Sequence, residues 1–108
     1  MAWKIDPFLS VIAQARNAVR RHRAGQPDYD SHDVIRELSD HHNQDFRQIV
    51  ALYRGPDPVR TATQQIGKAL EKIGEVQIGK RISDRKLILP GVPMGRRNGR
   101  CQVTVWRI

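Results

Sequence analysis

The chain has 108 residues, 39% apolar and 28% charged, with a formal net charge of +8. That length and composition suit one domain with one modest core and exclude a disordered tail. No apolar run reaches membrane-span length, and the single Cys101 can form neither an internal disulfide nor a thiolate zinc site.

The charge is informative once divided. Residues 1–58 hold eight basic and eight acidic side chains, whereas residues 59–108 hold eleven basic against three acidic, which accounts for the whole +8. A positive field confined to half of a small chain suits a polyanionic partner better than general solubility. The reading is of one domain, with a charge-neutral helical part at 1–58 and a basic part at 59–108. An amphipathic N-terminus carrying Asp6 is no signal peptide, and a reducing cytoplasm suits the free cysteine.

Asp6 and Pro7 predict a first helix, with Asp6 as N-cap and Pro7 at the first helical position. Phe8, Ile12, Ala15 and Val19 then recur at helical spacing. Arg20, Arg21, His22 and Arg23 close the helix, where cations complement the dipole, and Gly25 and Pro27 stop it. The run Asp28-Tyr29-Asp30-Ser31 supplies caps for a second helix striped by Val34, Ile35 and Leu38. His41-His42-Asn43 reads as a break, with Asn43 capping a third helix that carries Phe46, Ile49, Val50 and Tyr53. Gly55-Pro56-Asp57-Pro58 is a stop.

The fourth helix is predicted over about Thr63–Ile73, capped by Thr61 or Thr63. Ile66, Ala69, Leu70 and Ile73 form its apolar face, and Gly74 sits where a C-terminal glycine belongs. Gly67 inside it costs about 1 kcal/mol relative to alanine, for which close approach by another helix or by a DNA backbone is one reason. After Gly74 the period changes to two. Val76 and Ile78 alternate with polar neighbours, Leu87-Ile88-Leu89 is a short apolar run, and Cys101, Val103 and Val105 alternate with Gln102, Thr104 and Trp106. The segment between, with Asn98-Gly99 as a turn signal, reads as an extended basic loop.

Helices followed by a basic hairpin are the plan of a winged helix. The expected fold is therefore α+β: a winged helix-turn-helix with additional N-terminal helices and a basic β-hairpin wing. A helix about 10–12 Å across fits the major groove. Gln64 and Gln65 carry amides suited to adenine, and Lys68 and Lys72 suit phosphate or guanine. Arg60, Thr61 and Thr63 lie near the positive helix N-terminus. Lys80 and Arg81 extend the basic surface, and Arg96, Arg97 and Arg100 can reach an adjacent minor groove or backbone. The competing reading of all these residues is an ordinary amphipathic helix beside a solvated basic hairpin.

The stretch Thr63-Gln64-Gln65-Ile66-Gly67-Lys68-Ala69-Leu70-Glu71-Lys72-Ile73-Gly74, followed by Arg96-Arg97-Asn98-Gly99-Arg100-Cys101-Gln102-Val103-Thr104-Val105-Trp106-Arg107, resembles the winged-helix end of phage- and plasmid-type primase–helicase proteins. The resemblance covers residues 61–107 and implies a DNA-binding appendage. It does not extend to catalysis, because the chain has no G-x-x-x-x-G-K-[ST] loop and no room for a helicase or primase core.

No enzyme activity, cofactor or metal is expected. His22, His32, His41 and His42 match no common zinc spacing, and Asp40-His41-His42-Asn43 resembles an HNH nuclease only superficially. Capping and surface histidines explain them better. Cys101 reads as a strand-core residue. The expected function is binding of duplex DNA in replication initiation or regulation of a phage or mobile element, with homodimerisation left open and no membrane partner. The alternative is an adaptor for an acidic host or replisome protein. RNA binding has little support, since the six aromatics fall mostly on predicted core faces.

Overall fold

The computed structural model describes residues 4–83 and 101–108. Asp6 and Pro7 open a short 3-10 turn, Asp6–Phe8, and helix α1 follows over Leu9–His22. The expected Asp6 cap does not form. Ile5 occupies the cap position of the turn, and the Asp6 carboxylate accepts from Lys72 Nζ at 2.7 Å.

Asp28–Asp30 forms a short strand, β1, which the sequence reading missed, and it leads directly into α2, Ser31–His41. Asp30 does cap this helix: its carboxylate accepts from the Asp33 N–H, and the Asp33 carboxylate accepts from the Asp30 N–H, both at 3.0 Å. This is a reciprocal capping box, satisfying two donors at once. Helix α3 spans Asn43–Ala51, with His42 rather than Asn43 at its cap position.

The fourth helix, α4, runs Pro58–Lys72 and begins earlier than expected. Asp57 is the cap, accepting from the Arg60 N–H at 3.1 Å, and Pro58 fills the first helical position. The proline-rich stretch is thus both the stop of α3 and the start of α4, because proline lacks only a donor that the first turn would leave unused. Thr61 and Thr63 cap nothing. Their hydroxyls donate back to the carbonyls of Asp57 and Arg60, at 3.4 and 2.8 Å.

Strands β2, Gln77–Ser83, and β3, Cys101–Arg107, complete a three-stranded antiparallel sheet in the order β1-β3-β2. Trp106 stands in register with Tyr29 on one side and Gln77 on the other, and Thr104 with Lys80. Among the described residues the protein is therefore an α+β fold of four helices and one small sheet. Leu87–Leu89 and the loop with Arg96, Arg97 and Arg100 lie outside the described residues, as does the Cys101 side chain.

One core draws on both halves of the chain, from Ile5, Ile12 and Val19 through Phe46 and Ile49 to Ile66, Leu70 and Trp106. Trp106 departs from the expected alternation. It is 2% exposed, as deeply buried as Val103 and Val105, which its neighbours in period would place on the opposite face. Its indole N–H donates to Ser31 Oγ at 2.9 Å, so the buried ring keeps no unsatisfied donor.

Helix α4 ends at Gly74, whose φ of +98° lies in the left-handed region that glycine tolerates. The Gly74 and Glu75 N–H groups donate back to Glu71 and Leu70, closing a Schellman motif. Glu75 is buried, its side chain 3% exposed, and Arg16 and Arg20 of α1 donate to Oε1 at 2.7 and 3.2 Å. Arg20 thus serves an ion pair in addition to the helix dipole. Burial, together with the Glu75 charge nearby, pushes the Tyr29 hydroxyl far above its ordinary value, so it stays protonated. No helix among the described residues is long and apolar enough to cross a membrane.

Removing both arginines should leave an uncompensated buried carboxylate. Arg16→Met/Arg20→Met is expected to lose about 3 kcal/mol or more in urea denaturation. Glu75→Gln should lose clearly less, because the freed guanidinium groups can turn to water.

Candidate nucleic-acid interface

Helix α4 buries Val59, Ala62, Ile66, Ala69 and Leu70 against the core, which turns its remaining faces outward. One outward side, Thr63, Gln64, Gly67, Lys68 and Glu71, forms the wall of a groove of about 470 Å³. Gln77 and Lys80 of β2 form the facing wall. The first turn of α2, through Ser31 and His32, meets Thr104 and Trp106 of β3 in the same groove. Its size is that of clefts that hold ligands in many proteins.

The groove brings together four of the sequence-predicted residues: Thr63, Gln64, Lys68 and Lys80. Gln64, Lys68 and Lys80 are exposed, so their amide and ammonium groups can meet an incoming partner without breaking the fold. Gln65 is half-buried and does not line the groove. Arg60 is exposed in the first turn of α4, but its backbone N–H is already taken by the Asp57 carboxylate. The helix N-terminus that would attract phosphate at Arg60 and Thr61 therefore carries its own anion.

Two other predicted cations are engaged within the fold. Lys72 donates to Asp6, and Arg81 spans the sheet from β2 to reach Asp28 at 3.3 Å and Asp30 at 3.2 Å on β1. Acidic residues of the neutral half thus neutralise part of the basic half. Arg96, Arg97 and Arg100 lie outside the described residues.

His32 is a residue the sequence reading misplaced at the surface. It is buried, because the capping box fixes the start of α2 and turns its first turn into the groove. The Asp30/Asp33 spacing was the signal that could have found it. Burial pushes its imidazole below the ordinary 6.5. The nearby Asp30 and Asp33 carboxylates oppose that shift, and Arg36 adds to it. No group of three or more His, Cys, Asp or Glu side chains among the described residues could hold a metal ion.

Gly67 lies mid-helix on the groove wall, and its φ is not positive. Among the described residues a Cβ built there would meet nothing within 4 Å, so no described neighbouring helix requires the glycine. Of the two reasons that a sequence reading offers for it, internal close packing is removed.

Gly67→Ala should accordingly stabilise the fold by about 1 kcal/mol, read as a higher urea midpoint at unchanged slope. A second expectation concerns pH. Because the folded state lowers the His32 pKa, the unfolded chain binds the proton more readily. The stability is complete above about pH 6.5 and is lost as pH falls towards the lowered folded value. Denaturation at about pH 7.5 and about pH 5 should show this loss, and His32→Gln should lessen it. Comparison with protein-family models, with curated proteins and with solved structures gave no match to this chain.

Proposed function

We propose that the chain is a winged-helix domain that binds duplex DNA, with α4 as its reading helix and the β2–β3 hairpin as its wing. The fold reading is supported by connectivity. A helix, a short strand, further helices and a hairpin follow in order, and the first strand pairs with the last. One helix more than the minimal plan is present. The observation that carries the DNA reading is that exposed Gln64 and Lys68 of α4 share one groove with Lys80 of β2. Amides can read base edges in the major groove while ammonium groups neutralise phosphates. The setting proposed is replication initiation or regulation in a phage or mobile element, as the resemblance to primase–helicase ends implies.

A second reading has its own observation. Val76, Ile78 and Ile82 of the β2 region are 51%, 44% and 53% exposed, which suits contact with a protein. In that reading the domain is an adaptor that docks an acidic host or replisome protein.

Fluorescence anisotropy with labelled duplex DNA tests the first reading. Affinity should fall steeply between about 50 and about 200 mM salt, through counterion release. Lys68→Ala should weaken binding to all sequences, and Lys72→Ala should weaken it less, because Asp6 already holds that ammonium group. Gln64→Ala should change sequence preference more than overall affinity. Absence of binding to any duplex, with retention of a defined acidic partner after nuclease treatment, would favour the adaptor.

A further inference from the structure

We propose that the groove between α4 and β2 seats one sugar–phosphate strand of the DNA, and that Gly67 is the residue that keeps this seat open. The inference rests on the DNA reading above and adds where the backbone lies. An element in the major groove and a hairpin at the adjacent minor groove are separated by a single sugar–phosphate backbone. The space between α4 and β2 is where that backbone has to pass.

The groove has the chemistry for it. Lys68 stands on the α4 side and Lys80 on the β2 side, so ammonium groups come from both walls. Thr63 and Gln64 lie one turn before Gly67 on the same wall, and Gln77 adds an amide from the facing wall. Glu71 lies one turn beyond Gly67 and repels phosphate at that end, which confines the strand to the Thr63–Lys68 side.

Gly67 supplies the independent argument. Glycine weakens a helix interior, yet here neither a positive φ nor a neighbouring atom calls for it. Among the described residues its absence of a side chain accommodates no neighbour. Its one effect is on the groove, where it exposes helix backbone to whatever enters. A partner that must come close to that backbone accounts for a cost that the folded chain by itself does not.

The test is to plug the groove without touching the charge. Wild type, Gly67→Ala, Gly67→Leu and Lys80→Gln are each titrated into a short fluorescein-labelled duplex, and each is also melted. Gly67→Leu should melt no lower than wild type yet bind roughly tenfold or more weakly. Gly67→Ala should fall between the two. Lys80→Gln should flatten the slope of log K against log salt by about 0.9, the loss of one phosphate contact. Wild-type affinity for Gly67→Leu, with DNA bound normally by both, overturns the seat while leaving DNA binding intact. Failure of wild type to bind the duplex overturns both readings. Should Gly67→Leu misfold, ethylation of individual phosphates decides the matter. Wild type should be sensitive to at least one phosphate to which Lys80→Gln is indifferent, and an identical pattern for the two proteins overturns the proposal.

Discussion

The Glu75 carboxylate sits where α4 hands the chain to β2, and the geometry of the whole basic half depends on how it is held. A buried carboxylate is tolerable only with cations against it, and Arg16 and Arg20 of α1 supply them. The Schellman motif at Gly74 turns the backbone sharply, and the ion pairs then fix that turn against α1. The point where β2 leaves α4 is thereby pinned by residues nearly sixty positions upstream. A contact that looks purely structural therefore lies at the point where the elements carrying Lys68 and Lys80 part.

Charge is also distributed less simply than the division at residue 58 implies. The two halves exchange ion pairs: Arg16 and Arg20 go to Glu75, Lys72 goes to Asp6, and Arg81 goes to Asp28 and Asp30. The net charge is unchanged by these pairs, but its distribution over the surface is not. Lys72 and Arg81 contribute to fixing the fold, whereas Gln64, Lys68 and Lys80 gather at the groove. The Lys72 and Arg81 pairs lie at the surface and are individually weak, so a strong polyanion can still recruit those cations.

Much of the architecture was legible because it is written in local rules. The helical periodicity of Ile12, Ala15 and Val19, the break at His42 and the glycine at the end of α4 all read correctly from spacing. The failures share a cause in tertiary context. Asp28–Asp30 is too short to show alternation and becomes a strand because β3 offers it an edge. Trp106 breaks the alternating pattern because it lies between Tyr29 and Gln77, beneath the start of α2, where Ser31 accepts its donor. Asp57-Pro58 reads from sequence only as an obstacle, although the same two residues are an N-cap and a first helical position. The candidate site was half legible. Residue type indicated Gln64 and Lys68, and the Asp30/Asp33 spacing carries a signal for His32, but nothing local could reveal that Arg81 is drawn away to β1.

Among the described residues, the central strand of the sheet is also the last element in chain order. During synthesis the four helices and β2 are made before β3, the strand with which both β1 and β2 pair among the described residues. Trp106 must then travel back to Tyr29 and Ser31, closing a loop over most of the chain. Until it does, the apolar face prepared by α1, α2 and α4 stays open to water, to chaperones and to other nascent chains. Completion of this core thus waits on the seven residues of β3.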